Sequence, residues 1–206
     1  MKRGYSPCPF TLHRTKCPLN LVRPHENAPL PAMPKGDPKN VAPSLGTAGS
    51  MPIRPFLLQE ALNFIHSASK LEGVRRIALV GSLTTEKPKP KDLDLLVTIG
   101  ATLNMAELAA IGRKAKGRLQ SQNSGADIFL CNEAGEYLGR TCSYRECHVR
   151  MACRGMQCRP GSHLCDDLEV VTLSPDLIRD PPCILWPAIT YREPIPKDVK
   201  ELLLNG

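Results

Sequence analysis

The stretch Val80–Ile99, VGSLTTEKPKPKDLDLLVTI, decides how the rest of the chain is read. It opens on an apolar residue and a Gly81-Ser82 step, crosses a basic loop broken by prolines, and ends in an apolar run holding Asp92 and Asp94. A carboxylate in an apolar strand is costly unless it is paired or binds a cation. Residues two apart in a strand point the same way, so Asp92 and Asp94 share a face. Two like charges held there raise each other's pKa unless a cation lies between them. Mg²⁺ suits that place, because it takes hard oxygen ligands and is commonly held by one or two carboxylates plus substrate phosphates. Gly81 at the strand end allows a close backbone approach to a ligand. Backbone N–H groups there, with the Ser82 hydroxyl, can hold a phosphate. Lys87, Lys89 and Lys91 follow on the loop, near where a polyphosphate would lie.

The flanking sequence builds a framework around this stretch. FLLQEALNFIHSASKL (56–71) places Leu58, Leu62, Ile65 and Ala68 at helical spacing, with Gly73 as a C-terminal stop. His66 stands alone on that helix and is read as a surface or boundary residue. RIALVGS (76–82) and DLDLLVTI (92–99) read as buried strands, the second apolar on both sides as in a central strand. NMAELAAIGRKAKGRL (104–119) reads as a helix capped at Asn104, with Glu107 at capping-box spacing and Leu108 and Ile111 facing inward. GADIFLCN (125–132) is a third strand, with Asp127 near its start, and EYLGRT (136–141) a fourth across the turn at Glu133-Ala134-Gly135. LEVVTLS (168–174) is expected to be a further strand, PPCILWP a proline-bounded apolar patch, and KDVKELLL a short terminal helix. The expected fold is a small mixed-sheet α/β (α+β) domain with helices on one face.

The pattern Val80-Gly81-Ser82, nine residues, then Asp92-Leu93-Asp94-Leu95 resembles the polymerase-beta-like nucleotidyltransferase superfamily, especially its minimal single-domain members. The likeness covers residues 56–131 and rests on a short motif. It implies a nucleoside triphosphate and Mg²⁺ bound across Asp92 and Asp94, with Gly81 and Ser82 gripping the β- and γ-phosphates. Asp127 matches the family's third carboxylate, which helps bind a second metal and assists deprotonation of an attacking hydroxyl. The implied reaction is two-metal, in-line attack on the α-phosphorus by an unspecified small-molecule, protein or RNA hydroxyl, with pyrophosphate leaving. Two features depart from the family pattern: the stiff Lys-Pro-Lys-Pro-Lys loop, and the lack of an obvious helical substrate domain after the third strand. The resemblance also covers non-catalytic members, so the alternative is a binding module on the same fold, a toxin–antitoxin-like partner or a nucleic-acid binder acting through the arginine-rich segment.

Residues 141–167 have another character. Cys142, Cys147, Cys153, Cys158 and Cys165 fall within 24 residues, with His148 and His163 among them. Thiolate and imidazole are favoured Zn²⁺ ligands, yet no Cys-x-x-Cys pair is present. The segment is therefore open to two readings, a zinc site or reduced thiols, and a zinc-stabilised structural protein is a third view of the whole. Arg140, Arg145, Arg150, Arg154 and Arg159 thread it, suited to phosphates or to a solvated basic face.

The net charge does not make the folded part a basic nucleic-acid binder. Residues 1–55 hold 8 Lys and Arg against 2 Asp and Glu, whereas residues 56–206 hold 19 against 18. The basic surplus lies in a segment with eleven of the twenty prolines, expected to be a disordered tail. The low aromatic content, 4%, leaves little for base stacking. No apolar run reaches the roughly 20 residues of a membrane-spanning helix, and no secretory core follows the N-terminus. A cytoplasmic protein without a membrane partner is expected, with its nine cysteines reduced or ligating metal. The expected segments are the tail 1–55, a domain 56–140, a Cys/Arg-rich insertion 141–167 and a C-terminal piece 168–206 packing on the domain.

Overall fold

In chain order the elements are α1 (Ile53–Ala68), β1 (Val74–Val80), β2 (Asp92–Ile99), α2 (Met105–Gln120), β3 (Gly125–Asn132), β4 (Tyr137–Thr141), β5 (Cys158–Arg159), β6 (Leu164–Cys165), α3 (Pro175–Arg179), β7 (Cys183–Trp186), β8 (Thr190–Tyr191) and α4 (Lys197–Val199), the last widening into a π-type turn over Lys200–Leu204. The computed structural model describes residues 52–145, 147, 158–159, 161–165, 168, 171–192 and 194–204. The expected tail lies outside the described residues except for its last four positions.

The fold is α+β. One mixed sheet runs in the order β5-β6-β4-β3-β2-β1-β7-β8. β2 and β3 are its parallel pair, joined through α2, and the other described pairs are antiparallel. Alternation sorts the strands' side chains onto two faces. Ile77, Leu79, Leu93, Leu95, Val97, Ala126, Ile128 and Leu130 turn toward α1 and α2 and form the main core with Leu57, Leu58, Ala61, Phe64, Leu108 and Leu119. The buried Glu60 on α1 is held by Arg118 of α2 and by Asn63, so the carboxylate inside the helix layer is paired.

The other face carries a smaller apolar cluster of Ala78, Val80, Leu96, Cys131 and Ile178. Short α3 covers it. Ser174 caps α3 by accepting from the Leu177 N–H, and Arg76 of β1 reaches across to the carbonyls of Ile178 and Arg179 at its C-terminal end. Cys131, read as simply buried, lies here against Thr98.

Several element boundaries differ from the expected ones. β1 runs Val74–Val80, not 76–82, because Gly81 and Ser82 belong to the turn that follows it. α1 starts at Ile53, not Phe56, and ends at Ala68; Pro55 is tolerated because the first helical turn has no use for its missing N–H. The described residues of 168–174 are not strand. The sheet instead takes CILW as β7, which pairs with the edge of β1. β6 pairs with β4, so the segments 141–167 and 168–206 both supply strands to the same sheet.

Candidate active site

Asp92, Asp94 and Asp127 meet at the N-terminal ends of the parallel pair. Asp94 is in register with Asp127, and Asp92 with Gly125. Neighbouring strands lie about 4.8 Å apart. The three carboxylates therefore occupy one corner of the face opposite α1 and α2, beyond the patch that α3 covers. Asp92 is exposed; Asp94 and Asp127 are half-buried.

Two glycines make room for the two β2 carboxylates. Gly81 leaves β1 with φ +70, a conformation that favours glycine. A Cβ on it would come within 2.1 Å of the Asp94 Oδ2, and one on Gly125 within 2.5 Å of the Asp92 Oδ1. Gly81–Thr84 then form a tight helical turn. The turn is latched internally, because Thr84 and Thr85 hydroxyls donate back to the carbonyls of Gly81 and Ser82. Arg54 latches it from outside. Its guanidinium donates to the carbonyls of Leu83 and Lys87, both at 3.0 Å, and pairs with Asp198 of α4. Neither Arg54 nor Asp198 was legible as a site residue, since a lone arginine between two prolines carries no sequence signal.

Charge at the corner is unbalanced. Burial first, then Asp127 and Asp92, push the Asp94 carboxyl up from 3.8 to about 6. Asp127 has a cationic neighbour, Arg140 of β4, whose Nη1 donates to Oδ1 at 2.9 Å. The ammonium groups of Lys87, Lys89 and Lys91 are exposed and form no ion pair with a described carboxylate. As placed, no three His, Cys, Asp or Glu side chains among the described residues close around a metal ion. The donor chemistry nevertheless suits Mg²⁺: two hard carboxylates share one face, one of them reluctant to ionise without a cation. A cavity of about 140 Å³ lies between α2 and the sheet, lined by Gly112, Arg113 and Lys116 of α2 with Ala126 and Ile128 of β3, and reaches Asp127 and Arg140.

The cysteine-rich segment is only partly described. Cys142 and Cys147 are buried, and Cys165 and His163 half-buried. Cys153, His148, Arg150 and Arg154, and the side chains of Cys158 and Arg159, lie outside what is described. His66 is exposed on α1.

A mixed-sheet α+β domain with a carboxylate cluster at the start of its parallel strands is the class that this fold and corner define. The chain belongs to a family of unknown function, DUF6932, which matches residues 42–151. That span includes α1 through β4, and with them all three aspartates and Gly81. No curated protein and no solved structure matches the chain. Among the described residues, no helix is long and apolar enough to cross a membrane.

Proposed function

We propose that the aspartate corner binds a nucleoside triphosphate with Mg²⁺ and transfers its nucleoside monophosphate to a hydroxyl acceptor. The observation that carries this reading is the register: Asp94 beside Asp127, Asp92 two residues along, and Gly81 turned directly over Asp94. Asp92 and Asp94 would hold Mg²⁺, which neutralises phosphate charge as pyrophosphate departs. The Gly81-Ser82 backbone positions the β- and γ-phosphates, and the exposed loop lysines add positive charge around them. Asp127 accepts the acceptor's hydroxyl proton as its oxygen bonds to the α-phosphorus and the bond to pyrophosphate breaks.

One observation favours the alternative, a binding module that has kept the fold without the chemistry. Arg140 occupies an oxygen of Asp127, so the proposed base is already engaged by a cation. Equilibrium binding of each labelled nucleoside triphosphate, with Mg²⁺ and with chelator, separates the two. Mg²⁺-dependent binding lost in Asp92→Asn supports the enzyme reading. Failure of all four nucleotides to bind, with the protein folded, contradicts it. Pyrophosphate release is then measured against RNA, protein and small-molecule acceptors.

A further inference from the structure

We propose that Cys142, Cys147, His163 and Cys165 form a zinc site that closes the outer edge of the sheet, independent of the aspartate corner. The β4–β6 ladder sets Arg140 opposite Cys165 and Thr141 opposite Leu164. One step further, the Cys142 N–H donates to the His163 carbonyl at 2.8 Å. Cys142, His163 and Cys165 are thus gathered within two ladder steps. Cys147 returns from the intervening chain to the same turn, where its sulfur accepts the His163 N–H at 3.3 Å. The Cys142 sulfur accepts the Tyr144 N–H at 3.4 Å. Backbone N–H groups thus orient both sulfurs, and the thiolate is the form that binds metal.

His163 supplies an independent sign. It is one of two non-glycine residues with positive φ among those described, at 54°. Its Nδ1 is buried without a hydrogen-bond partner. A residue held in a sparsely populated conformation with an orphaned buried nitrogen points to a function for that nitrogen. A lone pair on neutral imidazole beside thiols is a zinc donor. Three sulfurs and one nitrogen make a closed tetrahedral set of the structural type, and they are too soft for Mg²⁺. The donors do not converge among the described side chains; binding would turn the thiols and the His163 ring toward one another, and the thiol protons would leave as the ion binds. The site would fix the end of β4, and with it the Arg140 that pairs with Asp127.

The test is metal content of the full chain, grown with zinc and purified without chelator, followed by exchange with cobalt(II). The expected result is an equimolar amount of zinc and, after exchange, a sulfur-to-cobalt charge-transfer band. Cys147→Ser and His163→Ala should weaken zinc binding by more than about a hundredfold, since losing a partner behind a ligand can already cost that much. Cys183→Ser, in β7, and Asp94→Asn should keep the metal in full, which separates this site from the nucleotide proposal. A folded wild-type chain without zinc and without a cobalt–thiolate band overturns the proposal. So does full zinc retention in folded Cys147→Ser and His163→Ala.

Discussion

The same two strands, β2 and β3, present different chemistry on their two faces. Toward α1 and α2 they offer Leu93, Leu95, Val97, Ala126, Ile128 and Leu130, a continuous apolar layer. On the other face, Leu96 and Cys131 lie under α3, while Asp92, Asp94 and Asp127 stand beyond it. The difference shows how a strand can be apolar on average and still carry charge. Burial of one whole face secures the fold, and only half of the other face is needed for packing. The remaining corner holds groups that folding alone does not favour.

Substitutions on the two faces should therefore have opposite signs. The largest effect is expected from Leu95→Ala, fully buried under the helices, at about 2–5 kcal/mol of lost stability in urea denaturation. Gly81→Ala comes next, at about 1–3 kcal/mol. It forces a side chain into φ +70 and displaces the Asp94 carboxylate, so it should also abolish any Mg²⁺-dependent nucleotide response; unchanged nucleotide binding would separate the turn from the site.

Asp94→Asn should instead raise the stability of the ligand-free protein at neutral pH, by roughly 1–2 kcal/mol after allowance for solvent screening. The folded-state pKa of Asp94 lies above its ordinary value, 3.8 against about 6. Its favourable contribution is present below the lower value and is lost as pH rises through the higher one. A stability profile from pH 4 to pH 7 should fall less steeply in Asp94→Asn than in wild type. A parallel pair of profiles contradicts the charge imbalance. The smallest effect belongs to Arg140→Gln, under about 1 kcal/mol because the pair with Asp127 is partly exposed. Its clearer signature is a further upward shift of Asp94, read by carboxylate NMR.

Much of this corner was legible because β2 and β3 are long apolar runs, each with an aspartate near its start. β2 and β3 fall at 92–99 and 125–132 as their patterns indicate, and parallel pairing then brings Asp127 beside Asp94. What was not legible depends on partners distant in sequence. CILW is too short and too flanked by proline to signal a strand, and only the edge of β1 makes it one. LEVVTLS has the composition of a strand, but its described residues pair with nothing in the sheet. Arg54 binds the 83–87 loop from the far end of α1, a contact no local pattern encodes.

The most direct test of the aspartate corner is thermal stability of wild type and the Asp92→Asn/Asp94→Asn double variant with each nucleoside triphosphate, with and without Mg²⁺. A ligand that binds the native state raises the melting temperature by mass action. The expected result is a rise in wild type that requires both nucleotide and Mg²⁺ and is absent from the double variant. Identical melting in both proteins under every condition would contradict a triphosphate site on these carboxylates.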